Sequence, residues 1–413
     1  ATALLCGAQA HAANDNATGL LVGKLVGETP MDQAWSAFNL YKDDANPILQ
    51  EFSLQGRLQL QTIYGEAGGD SFNTSDYKDA GNDESVWGND IEARRARFGF
   101  KSKWFQNWKL DGQINVDLDG RDGDSSDHTI YKDLYDLFVT YGPSETFNIS
   151  AGKTKTRFSR EQEISSNNIL TIERSLLANT LFPGELTGIW TNGKGIQEYW
   201  LYELGVYGSD RVREFSEFDQ GAIVLGKVGY DYSSQAGLDS AVASIHYMHN
   251  TEPGYDALTE DNFNPSESPS FTDSIALTND INHGRYGLTT ELLYGFGFAG
   301  SVERNGAIAD VDQSDVFGIT IIPSYFIADG LQLVGRLQIA TCEDGDDLRV
   351  PSRYERLAAG DDERGNTYVS TYLGLNYYIH GHKLKLMNGI EYSDMGGGDY
   401  DGYTLMSGLR FSF

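Results

Sequence analysis

The stretch Phe52-Ser53-Leu54-Gln55-Gly56-Arg57-Leu58-Gln59-Leu60-Gln61-Thr62-Ile63-Tyr64 sorts into two unlike faces. Phe52, Leu54, Gly56, Leu58, Leu60, Thr62 and Tyr64 fall on one face, and Ser53, Gln55, Arg57, Gln59 and Gln61 fall on the other. Successive side chains of an extended chain point to opposite sides, so strict period 2 over this length means a strand with two different environments. The pattern returns at 108–119, where Trp108, Leu110, Gly112, Ile114, Val116 and Leu118 oppose Lys109, Asp111, Gln113, Asn115 and Asp117. It returns again where Leu331, Leu333, Leu337 and Ile339 oppose Gln332, Arg336 and Gln338.

The connections between such stretches alternate in length. Near 105–106, 142–145, 233–236, 328–329 and 380–382 they are short; near 65–90, 120–129, 158–184, 250–284 and 343–365 they are long, polar and rich in Gly, Asp and Asn. Short turns at one end and long loops at the other are the signature of an outer-membrane barrel. The alternation stays in phase only if Leu186–Thr191 is also a strand, turning at Asn192-Gly193-Lys194-Gly195 into a strand over 196–207, because Asn-Gly favours tight hairpins. The prediction is therefore an all-β fold: a transmembrane antiparallel barrel of sixteen strands, with short periplasmic turns and long extracellular loops.

Bulk composition agrees. The 413 residues contain no run of about 18 apolar residues, the length a membrane helix requires. A mean hydropathy of −0.41 does not exclude the membrane, because lipid-facing and lumen-facing residues alternate in a barrel. Gly 47, Tyr 24 and Phe 20 beside two Cys and nine Pro suit many strands and aromatic girdles. The formal charge of −29, from 60 acids and 31 bases, argues against nucleic acid as a partner and reads as solvated loops.

The two ends carry targeting signals. Ala1 to Asp15 looks like the end of an apolar export segment followed by Ala10-His11-Ala12, an A-x-A cleavage pattern. Residues 1–12 are thus expected to be a signal-peptide remnant, 13–48 a periplasmic segment, and 49–413 the barrel. At the other end Tyr403, Leu405, Leu409, Phe411 and Phe413 share one face, with Phe413 last. This resembles the assembly signal of outer-membrane proteins and implies the barrel-assembly machinery as a partner.

Over residues 50–195 the sequence resembles the phosphate-selective porin O and P family. The resemblance rests on Phe52 to Gln59, Arg94-Arg95-Ala96-Arg97-Phe98-Gly99-Phe100, Trp108 to Asp117, Ala151-Gly152-Lys153 through Arg157-Phe158, Thr171 to Leu176, and Thr187-Gly188-Ile189, in family order. It implies a sixteen-stranded barrel, usually a homotrimer, whose third long loop folds inward to narrow the pore. Here that loop would be about 158–185, with Ile169, Leu170, Ile172, Leu176 and Leu177 available to pack against the wall. The resemblance also implies that Arg94 and Arg95 occupy positions associated with anion passage.

A passive pore selects by width, hydrogen-bond donors and lining charge, and anions call for lumen-facing Arg or Lys. On the pleat Arg95, Arg97 and Lys101 share a face opposite Ala96, Phe98 and Phe100; Arg94 falls on the lipid-facing parity, but lies near the strand's start, where it could bend inward. Arg57, Arg157, Arg160, Arg174 and Arg336 are further candidates for the lining, and Lys153 and Lys155 share a face with Arg157. The sequence reading is thus a water-filled channel for small hydrophilic solutes in the outer membrane, with an anion or phosphate preference. The alternatives are a non-specific or cation-preferring pore, favoured by the acidic loops, and a closed structural barrel or adhesin. No nucleophile–base signature, phosphate-cradling Gly loop or Cys/His metal spacing points to an enzyme, a cofactor or a metal. Asn115 to Asp124 resembles the start of a calcium loop, but Ser126 stands where a Glu is required. The acidic stretch Glu343 to Asp347 could bridge divalent cations to lipopolysaccharide, and His380 and His382 sit at a turn. The environment implied is outer-membrane lipid and lipopolysaccharide.

Overall fold

A computed structural model describes residues 29–68, 86–118, 130–254 apart from 211, 217 and 219–220, 271–304, 307–343, and 345–413 apart from 346, 352–354, 356–363 and 399. Sixteen antiparallel strands form the wall: β1 Leu49–Gly68, β2 Val86–Trp104, β3 Trp108–Val116, β4 Tyr131–Ser144, β5 Phe147–Lys155, β6 Glu185–Ile196, β7 Trp200–Gly208 and β8 Ala222–Asp231. They continue as β9 Ser240–Asn250, β10 Phe271–His283, β11 Tyr286–Gly297, β12 Val316–Ala328, β13 Leu331–Cys342, β14 Thr367–His380, β15 Leu384–Gly396 and β16 Asp401–Ser412. Each pairs with its chain neighbour, and β16 returns to β1 with Leu58 opposite Phe411 and Tyr64 opposite Leu405. Closure pairs every strand on both sides, which is what lets a sheet cross lipid without an open edge.

The burial pattern is inverted relative to a soluble sheet. Ile189, Leu204, Leu373, Tyr403 and Leu405 are all more than half exposed on the outer face, whereas Gln59, Lys385, Glu291, Arg336 and Arg410 are buried inside. On β13 the expected parity holds, with Leu333, Leu337 and Ile339 outward and Gln332, Arg336 and Gln338 buried. Connections of two to eight residues lie at the end that carries both chain termini, and those at the other end are longer, except for the four residues 397–400 between β15 and β16.

Two sequence expectations are corrected. The chain does not turn at Asn192–Gly195; β6 runs on to Ile196, and reversal occurs at Gln197 and Glu198, both with positive φ. Gly193 serves instead as a point of close approach, since a Cβ there would lie 2.0 Å from the Thr146 carbonyl oxygen. The Lys194 N–H donates to the Glu145 carbonyl at 3.0 Å, tying β6 to the preceding short turn. Nor is 250–284 one long connection, because Phe271–His283 is a full strand. Its inward Ser274, Ala276 and Thr278 alternate with outward Ile275 and Leu277, too few apolar residues to stand out from a polar neighbourhood.

Before the barrel, helix α1 (Pro30–Ser36) begins at a capping box formed by Thr29 and Asp32. The following strand Asn39–Lys42 pairs with β1 at Glu51 to Ser53. It covers the part of β1 that extends beyond the end of β16 and would otherwise be an open edge. Phe38 stacks on Phe413 at 3.8 Å between centroids, and Trp35 donates to the Ser412 carbonyl at 2.6 Å. Of the regions assigned from sequence, 1–12 and the first part of 13–48 lie outside the described residues, as do most of the calcium-like stretch and part of the acidic one.

Candidate functional site: the inward segment and the charged inner wall

The connection between β5 and β6, residues 156–184, folds into the barrel interior. It contains two short helices, α2 (Arg160–Glu163) and α3 (Leu176–Thr180). The apolar set read from the sequence does pack on the wall: Ile169, Ile172, Leu176 and Leu177 are all at most 4% exposed, and Leu170 packs there partly buried. Ile172 joins Ile322, Val334, Tyr372 and Met387, while α3 joins Leu293, Val316, Ala340 and Tyr368. Gly318 makes room for the helix, because a Cβ there would lie 2.5 Å from a methyl of Leu177. Burial of each such side chain is worth roughly 1.5–3 kcal/mol.

A segment with little regular structure leaves backbone groups that need partners at this depth. The wall supplies them. Lys385 Nζ donates to the Ile169 carbonyl, Asn376 Nδ2 to Leu170 and Arg410 Nη2 to Ile172, each at 2.8 Å. Arg336 Nη1 donates to the Glu173 carbonyl at 2.6 Å. The Leu176 N–H donates to Gln338 Oε1 at 2.8 Å, and the Glu291 carboxylate accepts the N–H groups of Arg160 and Glu161.

The Arg pair of β2 is arranged by a β-bulge. Gln59 of β1 faces Arg95 and the next residue, Leu60, faces Ala93, so Arg94 is accommodated as one extra residue. Before the bulge even-numbered residues face inward, with Glu92 bonded to Gln61 at 3.0 Å and Ile91 exposed outward. After it odd-numbered residues do. Arg94 and Arg95 therefore both face the interior; Arg94 turns inward, as its sequence position allowed, but through the bulge and not through the strand's start, which lies at Val86. Their common partner is the Glu173 carboxylate, at 2.8 Å from Arg94 Nε and 3.5 Å from Arg95 Nη2. Burial alone would raise the Glu173 carboxyl, but Arg94 and Arg95 outweigh it and hold the group well below the usual carboxylate range.

The remaining candidates divide into two sets. Arg97 lies with its guanidinium carbon 3.2 Å from the Tyr135 ring centroid and donates to Asn115 Oδ1 at 2.6 Å. Arg57 donates to the Ser166 hydroxyl at 2.6 Å, and Lys101 is exposed, opposite Asp111 in register. Arg157, 42% exposed at its side chain, meets Glu203 at 3.4 Å; Arg160, 33% exposed, meets Asp280 at 2.7 Å and Glu163 at 3.5 Å. By contrast Arg174 and Arg336 are buried. Arg174 donates to the carbonyls of Glu161 and Ile164, both at 2.8 Å, and Arg336 pairs with Glu391 at 2.7 Å. These two position the segment and do not line free space.

Lys153 and Lys155 separate despite shared parity. Lys155 Nζ donates to the Gln162 carbonyl at 2.6 Å within the inward segment, whereas Lys153 Nζ donates to the carbonyls of Val212 and Arg213. Arg410, Lys385, Glu291 and Glu391 do not figure among the sequence candidates. The alternation on β16 and β15 was a sufficient signal for the first two, since both stand opposite the apolar face. Their engagement with one segment was not visible, because it depends on where that segment lands.

Residues 68–248 match the family described as "Phosphate-selective porin O and P". No curated protein matches the chain. Among solved structures the fold is similar to OmpF of Salmonella typhi, at 11% identity and TM-score 0.54, covering 90% of this chain and 98% of that one. It is also similar to OmpT of Vibrio cholerae, at 10% identity and TM-score 0.52, covering 91% and 99%. The outer membrane channel DcaP of Acinetobacter baumannii aligns at 16% identity and TM-score 0.50, covering 90% and 99%. At these identities the likeness is one of fold, a closed sixteen-stranded outer-membrane barrel.

Proposed function

From its match to the phosphate-selective porin O and P family over residues 68–248, we propose that this outer-membrane barrel is a passive channel for small hydrophilic solutes with a modest preference for anions. The observation that carries the reading is the bulged pair Arg94 and Arg95, turned together into the interior beside the inward segment. The inward segment acts as the constriction. Arg94, Arg157, Arg160 and Lys101 offer positive charge to the solute path, backed by Arg57, Arg95 and Arg97. Each of Arg94, Arg157 and Arg160 also has a carboxylate beside it. That pairing, with the acidic loops, limits the preference to a bias and argues against tight phosphate specificity.

The same pairing supports the second reading, a non-specific or cation-preferring pore. Planar-bilayer recordings in a salt gradient separate the two. A reversal potential of anion sign, with phosphate competing against chloride, is the expected result; a cation sign overturns the anion preference. Absence of conductance steps from folded protein would overturn the channel itself and favour a closed barrel. The channel works as a homotrimer in this reading, embedded in outer-membrane lipid and lipopolysaccharide.

A further inference from the structure

One inward position on the wall carries a titratable ring that the solute path described above does not use. His246 of β9 is 1% exposed, and neither of its ring nitrogens makes a hydrogen bond. A buried polar group without a partner calls for a reason, because folding normally satisfies such groups. The ring meets Phe158 of the inward segment edge-on, with 6.3 Å between centroids, and the Arg157 backbone lies beside it. Register places Lys227 of β8 on one side of His246 and Ala276 of β10 on the other. Beyond Lys227 the row continues with Glu203 of β7, and beyond Ala276 with Leu293 of β11. His246 thus stands where a charged row of the inner wall meets the apolar cluster of Phe158, Met248, Ala276 and Leu293.

The charged groups that act on the ring are Glu163 and Arg160 from α2 and Lys227 from β8. Glu163 is already shared, since it pairs with Lys227 and, at 3.5 Å, with Arg160. The surrounding charges are engaged as well. Asp280 of β10 meets Arg160, Glu203 meets Arg157, and Glu291 of β11 accepts the N–H groups of Arg160 and Glu161. Imidazole is the side chain whose ordinary charge change falls between pH 5 and 8. While the ring is neutral, Glu163 belongs to Lys227 and Arg160, and α2 is held in place. Once it takes a proton, three cations compete for one carboxylate. Lys227 and Arg160 then lose part of their counter-charge, and the wall beside α2 carries one more positive charge.

We propose that His246 is a specificity-determining residue that makes the channel's ion preference depend on pH, turning it toward anions as the ring protonates. The inference rests on the channel reading above and deepens it with a residue that touches the constriction from behind. The added charge acts through the Glu163 network on the path that Arg157 and Arg160 line. A unit charge about 8 Å from a passing ion changes the anion-to-cation permeability ratio by about fivefold at low salt.

The test records reversal potentials of the full chain in planar bilayers under a potassium chloride gradient, from pH 7.5 to pH 4, for wild type and His246→Asn. Carboxylates of the wall and loops titrate in both proteins, so the signal is the difference between the two curves. The curves should coincide at pH 7.5 and separate on acidification, with wild type moving further toward anions by up to about fivefold in permeability ratio. Curves that superimpose throughout overturn the proposal. So does a constant offset already present at pH 7.5, which would mark a merely structural role. His246→Phe, which keeps a ring against Phe158, takes the place of the asparagine variant should that one fail to fold. Hydrogen exchange supplies a readout that needs no conductance: after correction for intrinsic rates, peptides covering 157–164 should lose protection on acidification more in wild type than in the variant. Equal loss in both overturns the proposal. Absence of conductance steps from folded protein at every pH would instead overturn the channel reading, and with it the claim on selectivity.

Discussion

Replacing Glu173 by glutamine isolates the charge of the inward segment from its shape. The substitution leaves in place the backbone carbonyl that Arg336 holds at 2.6 Å and retains one side-chain oxygen for Arg94. The side-chain charges in this cluster are Arg94, Arg95 and Arg410 against Glu92 and Glu173, a net of +1 (three minus two), which becomes +2. One unit charge acting on a passing ion about 8 Å away is worth about 0.5 kcal/mol at the dielectric of water. Anions gain that amount and cations lose it, so their permeability ratio should move toward anions by about fivefold at low salt, and less as ionic strength shortens the screening length. The measurement is the reversal potential across a planar bilayer under a tenfold potassium chloride gradient. A reversal potential that stays put, or moves toward cations, would show that the solute path does not pass this cluster.

Arg94→Ala and Arg95→Ala should each shift the same potential toward cations, because the bulge turns both inward; a silent Arg94→Ala would refute the bulge's role. Arg336→Met leaves Glu391 buried without its cation and should cost about 3–5 kcal/mol, read as a lower temperature for loss of the folded band on detergent gels. Adding Glu391→Gln should restore part of it. Ile172→Ala empties a fully buried site, for a loss of about 2–5 kcal/mol, and should appear as noisier conductance and faster proteolysis within 156–184. Glu173 has a depressed pKa, so its pairing is present above the unfolded value of about 4.3 and is lost only as pH falls through the lower folded value. The difference in selectivity between the wild type and Glu173→Gln should therefore be constant from neutral pH down to about pH 5; a difference that shrinks in that window would mean that Arg94 and Arg95 do not hold it.

Much of this architecture was legible because a barrel wall obeys one rule, the period of 2. Where β1, β3 and β13 follow it without interruption, facing direction reads directly from sequence. The failures have local causes. Asn192-Gly193 satisfies the turn preference, yet the Thr146 carbonyl approaches there and needs a glycine for a different reason. Residues 271–283 carry few outward apolar side chains and dissolve into the polar stretch before them. For the interior, parity identifies which bases face inward but not which are consumed in holding the segment. Arg174 and Arg336 look like Arg157 in sequence, and only the landing place of residues 169–174 divides anchors from free charge.

The bulge at Arg94 also bears on how densely a strand can be charged. A regular strand offers the interior one residue in two, spacing inward Cα atoms roughly 6.6–7 Å apart. One extra residue lets consecutive positions serve as neighbours on the same side, a density that no substitution on an unbroken pleat can reach. Deleting a single codon there would leave every other strand in register and remove one guanidinium from the pair. Relatives that gain or lose this one residue would thus differ in the inner wall's charge at almost no cost to the barrel's frame.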